Sequence, residues 1–413
     1  MKAVVFAAGR GERLWPLTEK KPKPLLRLGG RPIVERTLSG LAAAGIREII
    51  IVVSYNQEMI RGFIGDGRRL GCNVSYVRQR APAGTADALK ACQSQLEKEH
   101  EFIVVYGDDY YHASGIRKFV RYATRIKDNA IGGGEVKDSS RFGILETKNG
   151  LVKSIQEKVG ARGPAKVNAG IYLLKETVFK ILRRLRPSPR GEYELTDCVN
   201  QLVGQGEKVR ILSFSRDEWL GITYPWDLLQ ANASALNEDR VVANGLVERG
   251  VKITGKVSLS KGSVVRFGSS LEGPMTIGEG SMVGPNSYVR AFTSIGKNCR
   301  IGANCEVKNS LIMDNVHIPH LSYVGDSVVG DGTSLGAGTI TANLRFDKAN
   351  VQSWVKDRWV DSGRRKLGAI FGDDVRTGIN VSVLPGVKVG PGAWIGPGVI
   401  VKSDVRSGER VKK

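Results

Sequence analysis

The stretch Ile277-Gly278-Glu279-Gly280-Ser281-Met282-Val283 repeats an aliphatic residue at its sixth step, and Ile295-Gly296-Lys297-Asn298-Cys299-Arg300-Ile301-Gly302 does the same. Followed outward, the beat takes in Val247, Ile253, Leu259, Val265, Leu271, Ile277, Val283, Val289, Ile295, Ile301 and Val307. One five-residue step leads to Ile312, Ile318 and Val324, and a second leads to Val329 and Leu335. The beat returns at Phe371, Thr377, Val383, Val389, Ile395 and Val401. A period of six fits neither a helix at 3.6 nor a lone strand at 2. It predicts a parallel β-helix, in which short strands meet at corners and the aliphatic side chains stack inward. Glycine after the inward residue would relieve the corner. Residues 343–368, charged and holding Trp354 and Trp359, break the beat and read as a loop thrown out of the coil.

Upstream the pattern changes. Residues 2–8 read as a buried strand, 32–44 as a helix, 48–54 as a β-branched strand, 85–96 as a helix and 102–106 as a strand. Strands alternating with helices predict a Rossmann-like α/β domain with a mostly parallel sheet, its ligands at the carboxyl ends of the strands. A helix over residues 225–236 closes this half. The boundary falls at residues 239–244, giving domains 1–240 and 241–413.

Composition excludes several classes. With 25% charged and 41% hydrophobic residues, the chain is too apolar for wholesale disorder. No apolar run is long enough to span a bilayer, and the apolar start breaks at Arg10-Gly11-Glu12-Arg13, too soon for a signal peptide. Five scattered cysteines without a CxxC argue against a disulfide framework or a zinc ribbon, so a cytoplasmic protein is expected. The net charge of +21 is spread over both halves rather than gathered in a tail. Nucleic acid is one partner such charge can serve, but no basic stretch is interleaved with aromatics, and polyanionic small substrates serve equally.

The loop Ala8-Gly9-Arg10-Gly11-Glu12-Arg13 follows the first strand and can aim N–H groups at phosphates. It is not a Walker motif, and Leu14 stands where a dinucleotide fingerprint needs its third glycine. Arg13, and Lys23 held extended between Pro22 and Pro24, add cations suited to a triphosphate that loses pyrophosphate. Asp108, at a strand end, is a natural Mg²⁺ ligand. Together, residues 7–14, Pro16-Leu17-Thr18, Pro22-Lys23-Pro24 and Tyr106-Gly107-Asp108 resemble the signature of sugar-1-phosphate nucleotidylyltransferases over roughly residues 1–235. The resemblance implies that Arg13 and Lys23 hold the triphosphate and that Asp108 binds the metal. It implies a nucleotide site at Ala8, Gly9, Gly11, Gln79, Gly84 and Thr85, with Gln79 reading a uracil or thymine edge. It places the sugar phosphate at Gly143, Glu157, Lys158 and Asn168. The family's second metal-binding carboxylate has no counterpart at Gly221 or Thr223, which leaves Asp108 with phosphates and water, or Asp227 from nearby.

On the coil, residues 320–326 (His-Leu-Ser-Tyr-Val-Gly-Asp) and 336–343 (Gly-Ala-Gly-Thr-Ile-Thr-Ala-Asn) resemble the acetyltransferase domain of the bifunctional N-acetylglucosamine-1-phosphate uridylyltransferase/glucosamine-1-phosphate acetyltransferases. The archaeal-type enzymes are the nearest in pattern. Acetyl transfer to an amine needs a base, and imidazole titrates near neutrality, so His320 takes that role. By the resemblance Arg290 and Lys308 hold the sugar phosphate, Tyr323 and Asn343 orient the sugar, and Ala337 lies by the thioester of acetyl-CoA. The gap-free slot of the family lysine after Asn343 holds Ala349, with Lys348 next to it as the alternative, and Ser334 replaces an asparagine.

The expected whole is a left-handed β-helix joined to the α/β domain, assembled as a homotrimer. It would acetylate glucosamine-1-phosphate or galactosamine-1-phosphate, then couple the product to UTP or dTTP. The alternative is a monofunctional UDP- or dTDP-glucose pyrophosphorylase whose coil serves only assembly. Neither a nucleic acid nor a membrane is an expected partner.

Overall fold

Short β-branched runs build the first sheet. Strands β1 (Ala3–Ala7), β2 (Glu48–Val53), β3 (Asn73–Arg78) and β4 (Glu101–Tyr106) pair in parallel in the order β3-β2-β1-β4. Val4, Val5, Ile51, Val52, Val104 and Val105 are fully buried, as strands covered on both faces require. The computed structural model describes residues 1–81, 83–157 and 163–412. The chain forms two compact units: Met1–Arg10, Pro22–Leu25 and Pro32–Gly221 make the first, and Gly11–Lys21, Leu26–Arg31 and Ile222–Lys413 the second. Among the described residues no helix is long and apolar enough to cross a membrane.

Five further strands complete the first unit's sheet: β5 (Asn129–Val136), β6 (Gly143–Lys148), β7 (Leu151–Glu157), β8 (Ala165–Lys175) and β9 (Val209–Phe214). The full order is β3-β2-β1-β4-β8-β5-β9-β7-β6. The added half is mixed, not mostly parallel as the sequence suggested. β8 runs antiparallel to β4 and β5, and β7 antiparallel to β6 and β9. For β6 and β7 the reason is local: Asn149 and Gly150, both at positive φ, turn one strand directly into the other, leaving no room for a crossover helix. The helix expected over 85–96 is also broken, into Thr85–Lys90 and Gln93–Leu96. β1 lies between β2 and β4, so the chain leaves it in both directions, and the carboxyl ends of β1 and β4 open side by side.

The second unit is a stack of three-sided parallel coils. Along one face the paired residues are Lys252, Ser270, Tyr288, Glu306, Tyr323, Ile340, Ser382 and Ile400. The first three steps are 18 residues long, three hexads per coil. The two five-residue steps in the hexad pattern make two coils of 17, and residues 343–368 lengthen the next. Val265, Leu271, Ile277, Val283, Val289, Ile295, Ile301 and Val307 point inward and are fully buried. Val247 and Ile253 continue the beat but are 40% and 41% exposed, because they belong to edge strands with a neighbouring coil on one side only.

Glycines after the inward positions answer to close approach. A Cβ on Gly278 would stand 2.2 Å from the Gly296 carbonyl oxygen, and one on Gly302 only 1.9 Å from that of Pro319. The segment Gly11–Lys21 belongs to this unit. The Lys21 side chain is 8% exposed, with its ammonium against Asp331 and 3.1 Å from Asp373. Burial raises the Asp373 carboxyl above its ordinary value, and Lys21 opposes that shift.

Candidate functional site

At the end of β4, Gly107 donates its N–H to the Phe6 carbonyl at 2.8 Å. A Cβ there would meet Val5 at 2.6 Å, so glycine lets the chain turn tightly beside β1 and deliver Asp108. The Lys23 side chain is 7% exposed, and its ammonium lies 2.9 Å from Asp108 and 3.7 Å from Asp109. At the end of β1, Ala8 is buried, while the Cβ direction of Gly9 meets nothing within 4 Å. Gln79 is buried at the end of β3. Its Nε2 donates to the Gly84 carbonyl at 3.0 Å and to Asp87 at 2.9 Å. Both partners are acceptors, which fixes the amide and leaves Oε1 as the free acceptor face. Gly84, at φ 110°, lies so close to Tyr193 that a Cβ would be 2.4 Å from its carbonyl oxygen. Thr85 accepts from the Leu195 N–H at 2.9 Å.

Gly11 and Arg13 belong to the second unit, where Gly11, at φ 67°, opens the turn Glu12–Leu14. Arg13 is half-buried on that turn. The Asp227 carboxylate accepts the Thr223 and Tyr224 N–H groups, both at 2.8 Å. One of its oxygens therefore holds its own loop.

Farther along the first unit's sheet, Gly143 pairs with Glu157, and a Cβ on Gly143 would stand 2.8 Å from the Glu157 carboxylate. Asn168 donates to the Tyr172 hydroxyl at 2.6 Å and accepts from the Gly170 N–H at 2.8 Å. Tyr106 joins through a 3.3 Å hydroxyl contact with Tyr172, and burial pushes both phenols above their ordinary values. Arg190 lies 3.7 Å from Glu157 and also pairs with Glu194. Lys158 lies outside the described residues. Sequence reasoning missed Tyr172, Arg190 and Glu194, since the pairing of Arg190 with Glu157 across 33 positions leaves no local trace.

On the coil, three of the predicted residues, Lys308, Tyr323 and Asn343, gather around Asp326, while Arg290 stands in a separate ion pair. Asn343 donates to the Tyr323 hydroxyl at 3.0 Å and to Asp326 at 2.7 Å. Lys308 lies 3.5 Å from Asp326, and Arg290 pairs with Glu306 at 3.1 Å. Asp326, which the sequence reading quoted but gave no role, is the hub: it is buried and also accepts from Asn309 at 2.6 Å. His320 ends the strand His317–His320 on the neighbouring face and is exposed; no hydrogen bond or ion pair joins its ring to another described residue. Its carbonyl accepts the Gly338 N–H at 3.2 Å, which stacks His320 directly under the loop of Ala337.

The coil is least regular around His320. Both 17-residue coils flank it, and the long insertion begins at Asn343. One corner column holds Gly268, Asn286, Asn304, Leu321, Gly338, Asn380 and Gly398, all at positive φ. Leu321, at φ 51° and 63% exposed, is the one branched side chain among them. Such a residue costs about 1–2 kcal/mol in that conformation, strain of the kind that collects at working sites.

Residues 2–238 match the nucleotidyl transferase family model, and residues 271–383 match a GMPPB C-terminal domain. A bifunctional sugar-1-phosphate nucleotidylyltransferase/acetyltransferase of Sulfurisphaera tokodaii is 40% identical over 414 residues, covering 99% of each chain. The bifunctional protein GlmU of Methanococcus maripaludis is also 40% identical, over all of this chain and 97% of its own. The chain belongs to this bifunctional nucleotidylyltransferase/acetyltransferase family. It is therefore an enzyme with both transferase domains. A solved chain from Bacillus anthracis, assigned as a glucose-1-phosphate thymidylyltransferase, shares 29% identity at a TM-score of 0.53. It covers 59% of this chain and 97% of its own, supporting the Rossmann-like reading of the nucleotidyl transferase half.

Proposed function

We propose that the enzyme acetylates glucosamine-1-phosphate with acetyl-CoA and couples the product to UTP, giving UDP-N-acetylglucosamine and pyrophosphate. Residues 241–413 carry the first step and residues 1–240 the second. The observation that carries this reading is the coil network of Lys308, Tyr323, Asp326 and Asn343, set where the repeat is least regular and where His320 ends its strand.

In acetyl transfer, the sugar amine attacks the thioester carbon. A C–N bond forms, the C–S bond breaks, and CoA leaves as the thiolate. The exposed His320 ring accepts the amine proton and can return it to the sulfur. Arg290 and Lys308 supply the charge that receives the sugar phosphate, and Tyr323 and Asn343 set the sugar's orientation. In nucleotidylyl transfer, a sugar-phosphate oxygen attacks the α-phosphorus in line, and the bond to the β-phosphate oxygen breaks. The phosphate is already a nucleophile, so positioning and charge carry the rate. Lys23 and Arg13 receive the triphosphate, with Gly9 and Gly11 allowing its close approach. Gln79 presents Oε1 to a base N–H, an edge that uracil and thymine share. Gly143, Glu157, Lys158 and Asn168 hold the sugar.

Asp108 suits Mg²⁺: its side chain is 35% exposed, and one or two carboxylates with phosphates and water are the usual ligand set. Bound there, Mg²⁺ would neutralise phosphate charge. Among the described residues no cluster of three metal-ligating side chains occurs. The reading includes a left-handed coil, a homotrimer assembled through the coil faces, and a cytoplasmic setting, in which five free, buried cysteines are at home.

The test is to incubate the enzyme with acetyl-CoA, UTP, Mg²⁺ and glucosamine- or galactosamine-1-phosphate, and weigh every product. Free CoA together with a UDP-N-acetylamino sugar is expected. A nucleotide sugar formed from glucose-1-phosphate, with no acetylation of either amino sugar, would return the coil to an assembly role.

A further inference from the structure

The insertion at residues 343–368 supplies Asn343 to the coil network, but that network uses neither its two tryptophans nor their basic neighbours. Strands Gln352–Val355 and Arg358–Asp361 pair antiparallel as a hairpin. Its two-residue turn is Lys356-Asp357, at φ 45° and 61°, the left-handed pair whose twist matches the flanking strands. Trp354 and Trp359 lie opposite each other, edge to face, with ring centroids 5.4 Å apart, which stiffens the arm. The hairpin is fastened to the coil. Buried Ser353 donates to the Gly386 carbonyl at 2.8 Å, and the Lys388 ammonium donates to the Trp354 carbonyl.

Within the same unit, the segment Gly11–Lys21 meets this hairpin. Lys388, whose side chain is 3% exposed, pairs with Asp404 and stands 5.4 Å from the centroid of the Trp15 ring. One buried ammonium therefore joins the hairpin, a late coil and the loop segment. Glu19 ties the segment down further, accepting from Trp15 Nε1 at 2.8 Å and from the Ser407 hydroxyl at 2.6 Å. At the hairpin tip, the Lys356 ammonium lies 2.5 Å from the Glu12 carboxylate, both side chains more than half exposed. Glu12 opens the turn that carries Arg13. A carboxylate beside an arriving triphosphate repels it unless a cation balances the charge and holds it aside. An exposed ion pair adds little to folding stability, so the worth of this one lies in the turn it holds.

We propose that Lys356 is a positioning residue for nucleotidylyl transfer: through Glu12 it fixes the turn that presents Gly11 and Arg13 to the phosphates of the nucleotide. The proposal rests on the phosphate-binding reading of that turn. One insertion then serves both half-reactions, with Asn343 at its start and Lys356 at its hairpin tip. The full-length enzyme tests it, with nucleotidylyl transfer followed over a range of UTP concentrations and acetyl transfer as the internal control. Lys356→Met should raise KM for UTP about fivefold and Lys356→Glu about twentyfold, with kcat nearly unchanged, while Lys356→Arg behaves as the wild type. In a Glu12→Gln background, where no carboxylate needs balancing, Lys356→Met should add less than about twofold. Acetyl transfer and the midpoint of thermal unfolding should not move in any of them. A wild-type KM for UTP in both Lys356→Met and Lys356→Glu overturns the proposal. So does a Lys356→Met effect of full size in Glu12→Gln, which would put the lysine on the nucleotide itself. A loss shared equally by acetyl transfer, or a matching drop in unfolding temperature, also overturns it by reducing the hairpin to a structural brace. An Arg13→Met variant that keeps the wild-type KM for UTP brings down the phosphate reading of the turn, and the proposal with it.

Discussion

Lys23 and His320 stand in opposite surroundings. Lys23 is almost wholly buried against two carboxylates at a place where strands of unrelated sequence come together. His320 is exposed on a scaffold of stacked coils that otherwise repeat one another. In the α/β unit, the proposed site lies where the strands stop. In the coil, it lies where the repeat fails: two coils of 17 residues, a leucine in a column of glycine and asparagine, and an insertion that begins at Asn343. A periodic fold gives each outward position an equivalent neighbour, so local departures from the pattern are informative there.

The largest expected effects separate the two centres. Lys23→Met should lower nucleotidylyl transfer by about 100-fold or more through lost charge stabilisation, while acetyl transfer stays near wild type. Its fold should survive, because Asp108 remains solvated once the ammonium is gone. His320→Ala should lower acetyl transfer by about 100-fold or more and leave nucleotidylyl transfer intact. Assaying both half-reactions on both variants breaks the comparison if either substitution silences both.

Next comes stability, through two lysines two positions apart. Lys21 belongs to the second unit, between Asp331 and Asp373. Lys21→Met should destabilise that unit by about 3 kcal/mol, the lower end for breaking a buried pair, since Asp331 is 40% exposed. Denaturant unfolding measures it. Adding Asp373→Asn should recover part of the loss, because the less exposed carboxylate is then no longer charged.

Much of this was legible in sequence, and the exceptions have physical causes. The hexad beat predicted the inward residues well because a coil repeats its environment, and it failed at Val247 and Ile253, where the environment stops repeating. The residues of the first strand predicted their burial. The β6–β7 hairpin was legible too, since Asn149-Gly150 between two strand-like runs is a hairpin signal that the alternating-element reading passed over, whereas the antiparallel course of β8 beside β4 left no local sign. The hub role of Asp326 and the Arg190–Glu157 pair were not legible, because each joins positions brought together by folding alone.

A smaller effect concerns the amide proposed to read the base. Asp87→Ala removes one of the two acceptors that orient Gln79 Nε2. One hydrogen bond is worth about 1 kcal/mol, so KM for the nucleotide should rise about fivefold with little change in kcat. Gln79→Leu should do at least as much, and in its presence Asp87→Ala should add little.

The smallest expected effect probes the strained corner. Leu321→Gly removes the left-handed penalty but frees the unfolded backbone, so the two terms offset to within about 1 kcal/mol. Thermal unfolding should therefore move little. Acetyl transfer should fall several-fold, because the glycine loosens the chain on which His320 ends its strand. Leu321→Asn separates the contributions: asparagine tolerates the conformation, keeps the backbone stiffer than glycine, and already occupies this corner at Asn286, Asn304 and Asn380. If asparagine restores activity, the corner's stiffness is what the imidazole needs. If it fails while the protein unfolds as before, the leucine side chain itself serves the site. If both variants acetylate like the wild type, the link drawn between broken repeat and working site does not hold at this corner.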